Sequence, residues 1–112
     1  MLGLANRAGK VVSGGTATRV KLEEGLVFLV IVAENASQEI KEYYRYKSQE
    51  TGIPLLLAPS KLELGLSVGK SERAVMGILD RRFAREIWKR ARAIDHEDQY
   101  HGGEKNGEIK GV

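Results

Sequence analysis

The segment Val27-Phe28-Leu29-Val30-Ile31-Val32-Ala33 decides the fold of this chain, because it is the strongest apolar run in the sequence. Its length and its β-branched residues are typical of a central strand that is covered on both faces. Two further apolar segments, residues 53–58 and 74–79, have the same character. Helical patterns alternate with these strands, and the connections are short. The alternation predicts an α/β architecture built in layers.

Helix start and stop signals fill the intervals between the strands. Helices are predicted over residues 1–8, 16–24, 37–51, 60–69 and 80–94, and a short strand over residues 10–12. Ser37 and Asp80 are placed to cap helices, and Ser60 with Glu63 forms an S-x-x-E capping box. Gly52 stands where a helix commonly ends in the left-handed region. These signals are local, so they predict where elements begin and end.

Composition and charge divide the chain into a basic body and an acidic tail. The 112 residues, 42% of them hydrophobic, have room for one domain and one modest core. Residues 1–94 carry 16 Lys or Arg against 10 Asp or Glu, whereas residues 95–112 carry two against five. We expect residues 1–94 to form the domain and the glycine-rich residues 95–112 to be a disordered tail. A basic body attracts polyanions, although a solubilising surface explains the charge equally well.

Several classes of protein are disfavoured by what the sequence lacks. The longest apolar run has eight residues, too few for a membrane span, and no signal-peptide pattern is visible, so we expect a soluble, cytoplasmic and monomeric protein. Cysteine is absent, and the only histidines, His96 and His101, fall in the tail. We therefore predict no catalytic residues, no metal site and no cofactor, and hence no enzyme.

One segment imitates a nucleotide-binding loop. Residues 65–71, Gly-Leu-Ser-Val-Gly-Lys-Ser, look like a P-loop, but only three residues separate the glycines where four are needed. A helix is predicted before the second glycine and a strand after it, so no helix N-terminus faces a phosphate. A nucleotide-dependent enzyme using Gly69, Lys70 and Ser71 is therefore the weaker hypothesis, and a loop that presents Lys70 and Arg73 to a partner is favoured.

The first candidate site is Gly14-Gly15-Thr16, which leads directly into a basic helix. Free backbone N–H groups and the helix dipole make such a helix start attractive to anions. Thr16 and Thr18 would add hydroxyl donors, and Arg19 and Lys21 would add charge. The alternative is a plain strand-to-helix turn in which Thr16 only caps the helix.

The second candidate follows the central strand, where loops at the carboxyl ends of sheet strands commonly bind ligands. Asn35 has a donor and an acceptor for a base edge, and Glu34 could accept from a base amino group, but Asn35 is equally acceptable as a turn residue. Aromatic and basic residues also interleave at 41–47, where sheet packing is favoured over base stacking. The basic run at 81–92 is interpreted as a solvated face compensated by Glu86, with a secondary phosphate contact as the alternative.

Three blocks of sequence resemble a known family. They are Leu2-Gly3-Leu4-Ala5-Asn6-Arg7-Ala8-Gly9-Lys10 followed by Ser13-Gly14; Leu29-Val30-Ile31-Val32-Ala33-Glu34-Asn35-Ala36-Ser37; and Glu63-Leu64-Gly65 with Val68-Gly69-Lys70-Ser71-Glu72-Arg73-Ala74-Val75. In this order and spacing they resemble the bacterial YlxQ-like branch of the L7Ae/L30e ribosomal protein superfamily, over about residues 1–90. The resemblance implies a three-layer α-β-α sandwich around a mixed four-stranded sheet.

The resemblance also implies a function and a set of contact residues. Family members bind kink-turn RNA, so we expect a ribosome- or translation-associated RNA-binding protein; the alternative is a protein-interaction module of the same fold in a ribonucleoprotein assembly. The residues implied to contact RNA are Gly14, Gly15, Thr16, Ala17, Arg19, Lys21, Glu34, Asn35, Ala36, Gly69, Lys70, Glu72 and Arg73. Strict kink-turn binders carry an Asn-Glu pair and a lysine where this chain has Thr16, Ala17 and Val20, so Arg19 or Lys21 is expected to substitute as a phosphate contact.

Overall fold

The computed structural model describes residues 1–95 and 106–108 of the chain, with side chains described up to residue 92. The elements in chain order are α1 (Leu2–Arg7), β1 (Val11–Ser13), α2 (Gly15–Glu23), β2 (Leu29–Ala33), α3 (Gln38–Thr51), β3 (Leu55–Ala58), α4 (Lys61–Leu66), β4 (Val75–Ile78), α5 (Arg81–Asp95) and β5 (Asn106–Glu108). Within these residues, no helix combines the length and the apolar character needed to cross a membrane. The predicted order of helices and strands is thus present along residues 1–95.

The sheet is mixed, and its strand order is β1-β4-β2-β3-β5. β4 runs antiparallel to both β1 and β2, whereas β2 and β3 are parallel. The predicted mixed sheet of four strands is confirmed in β1 to β4. The fifth strand, β5, lies in the predicted tail and pairs in parallel with β3. The expectation of a disordered tail therefore does not hold for residues 106–108, and residues 96–105 and 109–112 lie outside the described part of the chain.

The central strand β2 is covered on both faces. All five of its residues are buried, and so are all four residues of its neighbour β4. A strand without alternation between buried and exposed positions has a packing layer on each side, which is the predicted three-layer α-β-α sandwich. Leu22, Leu64 and Ile87, from three different helices, belong to the same buried cluster as this strand. The core thus sits on β2 and β4.

The predicted helix caps form as side-chain hydrogen bonds. The hydroxyl of Ser37 accepts from the Ile40 N–H at 3.2 Å, and that of Ser60 accepts from the Glu63 N–H at 3.1 Å. Asp80 Oδ1 accepts from the Phe83 N–H at 2.9 Å. Each such cap stabilises its helix by about 1 kcal/mol. At the other end of α3, Gly52 has a φ of 80°, which a residue with a side chain rarely adopts.

Helix α2 packs closely onto β4 because β4 has a glycine at the contact. A Cβ atom on Gly77 would lie 3.1 to 3.3 Å from side-chain carbons of Val12, Val27 and Thr18. Thr18 is completely buried in this contact, and its hydroxyl has no hydrogen-bond partner. The expectation that Thr18 offers a hydroxyl to a ligand was therefore wrong, because the helix turns that side chain towards the sheet.

We expect Thr18→Val to raise the free energy of unfolding by about 1 kcal/mol, because valine has the same shape and removes an unsatisfied buried hydroxyl. Urea denaturation of the two proteins measures the difference. Thr18→Ser is the matched control, since it keeps the hydroxyl and loses the methyl group next to Gly77; it should lower stability. A valine variant less stable than the parent would contradict the expectation.

Candidate functional site

Strand direction brings four loops to one end of the sheet. β1, β2 and β3 run in the same direction, so the segments that follow them start at the same end, and antiparallel β4 begins there. The Ala33 N–H donates to the Ala74 carbonyl at 2.9 Å, and the Glu34 N–H donates to the Ala58 carbonyl at 2.8 Å. We call the resulting face, formed by residues 14–19, 34–36, 60–61 and 69–73, the sheet-end surface.

The start of α2 is attached to the start of β4. The Gly14 N–H donates to the Val75 carbonyl at 2.9 Å. Arg73, just before β4, donates through Nε to the Ser13 hydroxyl at 3.3 Å. Its Nη1 donates to the Glu72 carbonyl at 2.8 Å and to the Ser71 hydroxyl at 3.0 Å. The Arg73 side chain thus orders the loop before β4 and joins it to the end of β1.

A second set of contacts joins the loop after β2 to the start of α4. Asn35 Oδ1 accepts from the Lys61 N–H at 2.8 Å, and the Lys61 carbonyl accepts from the Arg73 N–H at 3.1 Å. Lys41 Nζ donates to the Glu34 carbonyl at 3.0 Å. Asn35 therefore has a structural role through its oxygen, while its exposed amide nitrogen keeps donors for a ligand. Lys61 lies between the two loops that sequence reasoning identified.

The first turn of α2 exposes backbone donors. The N-cap is Gly14, with a φ of 96°, and no side chain caps the helix. Because the first N–H groups of a helix have no partner within it, those of Gly15, Thr16 and Ala17 face outwards without an acceptor from the helix. The interpretation of Thr16 as the cap was wrong, since Thr16 lies inside the helix. Together with the helix dipole, this turn favours an anion.

Cations surround this turn, but the predicted ones do not all contribute. Arg19 and Lys70 are exposed, and Arg73 and Lys61 are half-buried. Lys21 lies six residues beyond the start of α2, about 9 Å along the helix axis, and its ammonium is 3.7 Å from the Glu24 carboxylate. Lys21 is thus the predicted contact residue that the structure does not bring to the sheet-end surface.

The remaining predicted residues differ in accessibility. Glu34 and Glu72 are exposed at the rim, where their carboxylates oppose phosphate and can accept from base amino groups. Ala36 is only 6% exposed, and its N–H donates to the Ala33 carbonyl at 3.0 Å, so it shapes the loop from within. Gly69 is exposed and has a φ of 72°, which allows the chain to turn after α4. Ala36 and Gly69 therefore contribute to this surface by setting the backbone shape of their loops.

A groove of about 300 Å³ separates the start of α2 from α3 and is lined in part by Thr16, Arg19 and Tyr43. The Tyr44 hydroxyl donates to the Gly15 carbonyl at 3.0 Å, and burial, reinforced by neighbouring Tyr43, raises the pKa of Tyr44 to about 12. The phenol therefore remains a neutral donor. Tyr44 is buried and packs in the core, in agreement with the interpretation of residues 41–47 that favoured sheet packing over base stacking. Tyr43, by contrast, is only half-buried.

The P-loop imitation has the geometry expected of a connecting loop. Gly65 lies within α4, and its carbonyl accepts from the Lys70 N–H at 2.9 Å. A strand, β4, follows the loop, and no helix starts at Lys70. In the part of the chain that the structure describes, no group of three or more His, Asp or Glu side chains could hold a metal ion. His96 and His101, the histidines of the tail, lie outside that part.

Lys61 is a candidate residue that sequence reasoning missed. Its backbone joins the loops of Asn35 and Arg73, and its half-buried side chain starts at the same end of the sheet. A signal was available: Ser60 and Lys61 follow β3, and parallel strands end at the same edge. A prediction of β2 and β3 as parallel neighbours would have placed Lys61 near Asn35.

Residues 1–87 match the family described as the ribosomal protein L7Ae/L30e/S12e/Gadd45 family. The RNA-binding protein YlxQ of Bacillus subtilis (strain 168) is 34% identical over 87 residues, which cover 78% of this chain and 87% of the relative. The RNA-binding protein YlxQ of Enterococcus faecium is 34% identical over 86 residues, which cover 77% of this chain and 82% of the relative.

A solved structure is similar in both sequence and fold. It is that of a protein of unknown function from Bacillus halodurans, with a TM-score of 0.73 and 33% sequence identity. The match covers 76% of this chain and 86% of that one. The similarity supports the sandwich described above.

Proposed function

The chain belongs to the ribosomal protein L7Ae/L30e/S12e/Gadd45 family, and from this premise we propose that it binds structured RNA through the sheet-end surface. The family and the names of its relatives confirm the prediction that it is not an enzyme. One observation carries the proposal: the uncapped first turn of α2 lies among the loops that carry Lys61, Lys70 and Arg73. Backbone amides and cations that converge in this way suit the phosphates of a folded RNA.

The proposed RNA is bent, as in a kink-turn. Exposed backbone N–H groups contact phosphates without regard to sequence, so discrimination comes from the shape that brings several phosphates to one face. At the positions of the strict readers, Thr16 and Ala17 are exposed and Val20 is 46% exposed. Arg19, one turn along α2, supplies the charge that Val20 lacks. Shape therefore contributes more to recognition here than base reading does.

Gel shifts at two salt concentrations test the proposal, with a kink-turn, a straight duplex and an unrelated stem-loop as probes. We expect the kink-turn to bind most tightly and all binding to weaken as salt rises. Equal affinity for the three probes would contradict the proposal that the protein recognises the shape of the RNA. If none of the three probes shows salt-sensitive binding, the proposal that the protein binds RNA is itself contradicted.

Lys70→Gln should weaken RNA binding and lower the slope of log affinity against log salt by about one, as expected for one lost phosphate contact. Lys47→Gln is the matched control, because it removes the same charge from a lysine that pairs with Glu50 at 3.1 Å. Fluorescence anisotropy at four salt concentrations gives both slopes. Equal slopes for the two variants would contradict the role assigned to Lys70.

We also propose that the protein acts in the cytoplasm in association with translation. Sedimentation of cell extracts at low and high salt would place the chain with ribosomal particles or with free protein. Recovery only in the free fraction at low salt would contradict this part of the proposal, while leaving RNA binding in vitro to be judged by the gel shifts.

A protein-interaction module is the second candidate, and one observation favours it. Leu4, Leu62 and Leu66 are each more than half exposed, and the last two are neighbours on α4. An exposed apolar group of this kind is typical of a protein contact. Pull-down with Arg19→Gln/Lys70→Gln discriminates the two: loss of RNA from the variant would favour the RNA-binding proposal, whereas unchanged recovery of protein partners would favour this candidate.

A further inference from the structure

A second groove lies at the opposite end of the sheet from the sheet-end surface. Its volume is about 300 Å³, and it is lined by Phe28, Pro54, Arg81, Ala84, Arg85 and Trp88. Phe28 immediately precedes β2 and Glu34 immediately follows it, so the two surfaces are roughly 20 Å apart along that strand. We call this feature the Phe28–Trp88 groove.

Arginines in this groove are supported by aromatic rings. The Arg81 guanidinium carbon lies 5.0 Å from the centroid of the Phe28 ring. Arg85 is four residues further along α5, so the two side chains are neighbours on the helix surface, and both are exposed. A guanidinium that rests on a ring keeps the N–H groups of its edge free for a planar or tetrahedral anion.

These cations lack acidic partners in the described part of the chain. Neither Arg81 nor Arg85 forms an ion pair there, and the compensation by Glu86 that the sequence suggested is not observed among those residues. The carboxylate nearest to Arg81 in sequence, that of Asp80, accepts from the Phe83 N–H and so caps the helix. Among the side chains described up to residue 92, the groove therefore combines arginines without ion pairs with the apolar Pro54 and Ala84.

We propose that the Phe28–Trp88 groove binds an unpaired stretch of RNA. Arg81 and Arg85 contact its phosphates, and a base lies in the apolar groove beside the half-buried Trp88. Arginine supplies the charge that single strands require. Because Arg81 lies over Phe28, the stacking surface is left to the Trp88 ring, whose centroid is itself 5.2 Å from the Arg92 guanidinium carbon. An acidic peptide would use the same charges but would gain little from an aromatic groove. The inference goes beyond the proposed function, because it adds a second, separate RNA contact.

Trp88 makes the groove directly observable, because it is the only tryptophan in the sequence. Titration with oligouridylate should quench its fluorescence in a saturable, salt-sensitive manner. Arg81→Gln/Arg85→Gln should weaken that binding roughly tenfold. Arg82→Gln/Arg90→Gln is the matched control, since it removes two charges from exposed positions of the same helix that do not line the groove; it should change the affinity by no more than about twofold.

The outcomes separate this proposal from the RNA binding of the sheet-end surface. A Gly15→Glu variant should bind the kink-turn about tenfold more weakly, or weaker still, and retain the quenching by oligouridylate. If the parent protein does not bind the kink-turn but quenching persists, the groove stands and the proposed function fails. Absence of quenching, equal loss in the two arginine variants, or equally tight quenching by oligoglutamate would overturn the groove proposal. Thermal melts of all variants show that each is folded.

Discussion

Gly65→Ala is expected to lower the free energy of unfolding by roughly 3 kcal/mol or more, at the upper end of what overpacking costs. A Cβ atom at this position would lie 1.8 Å from the Ser71 carbonyl oxygen and 2.6 Å from the carbonyl carbon. Both contacts are with backbone, so no side-chain rotation relieves them. The loop that carries Lys70 and Arg73 must move away, and its hydrogen bonds to α4 and β1 are then lost.

Gly3→Ala provides the matched control for this prediction. Its Cβ atom would lie 3.7 Å from the Ser67 carbonyl oxygen, an ordinary contact, and alanine favours the helix more than glycine does. Urea denaturation of both variants should therefore show a large loss for position 65 and no loss for position 3. If Gly65→Ala is as stable as the parent, the close approach of α4 and the 69–73 loop is not a feature of the folded protein.

Gly15→Glu is expected to weaken RNA binding by about tenfold or more, equivalent to about 1.4 kcal/mol, without reducing stability. Gly15 is exposed, has open space where a Cβ would lie, and is the first residue of α2. A carboxylate in the first turn interacts favourably with the helix dipole, by about 0.3 to 1 kcal/mol. The same charge occupies the amide site and repels phosphate. Stability and affinity should thus change in opposite directions.

Gly15→Gln separates the charge from the side chain. Glutamine has nearly the same shape as glutamate, so it should retain most of the affinity for the kink-turn, and anisotropy titrations of the two variants at one salt concentration give the comparison. Equal losses for glutamine and glutamate would point to a steric effect of any side chain. Full affinity for the glutamate variant would show that the first turn of α2 does not contact RNA.

The sequence predicted the elements whose signals are local. The apolar run of β2 and the caps at Ser37, Ser60 and Asp80 each depend on residues a few positions apart, and each is present. β5 was missed because Asn106, Gly107 and Glu108 have little preference for strands. Their pairing with β3 depends on the open edge of that strand, which only the assembled sheet provides.

For the candidate site, the sequence predicted the loops better than the individual side chains. Gly14, the first turn of α2 at Gly15, and the loop of Lys70 lie at the same end of the sheet, as the resemblance implied. Thr18 shares the buried face of α2 with Leu22, four residues further on, and Lys21 reaches Glu24. The polar side chain of Thr18 gives no local sign of that burial. The position of Lys61 at this surface depends on the parallel pairing of β2 and β3, which is a tertiary contact that local sequence signals do not show.

The contacts of Arg73 with Ser13 and Lys61, and of Lys61 with Asn35, have a consequence for the energetics of the proposed complex. Segments from four parts of the chain are already fastened to one another before any partner arrives. Little conformational entropy is left for this face to lose, so the bending falls to the nucleic acid. The protein would thus present a rigid, preformed surface. An RNA already held in its sharp turn by magnesium ions should therefore associate with it faster than an RNA that is still straight.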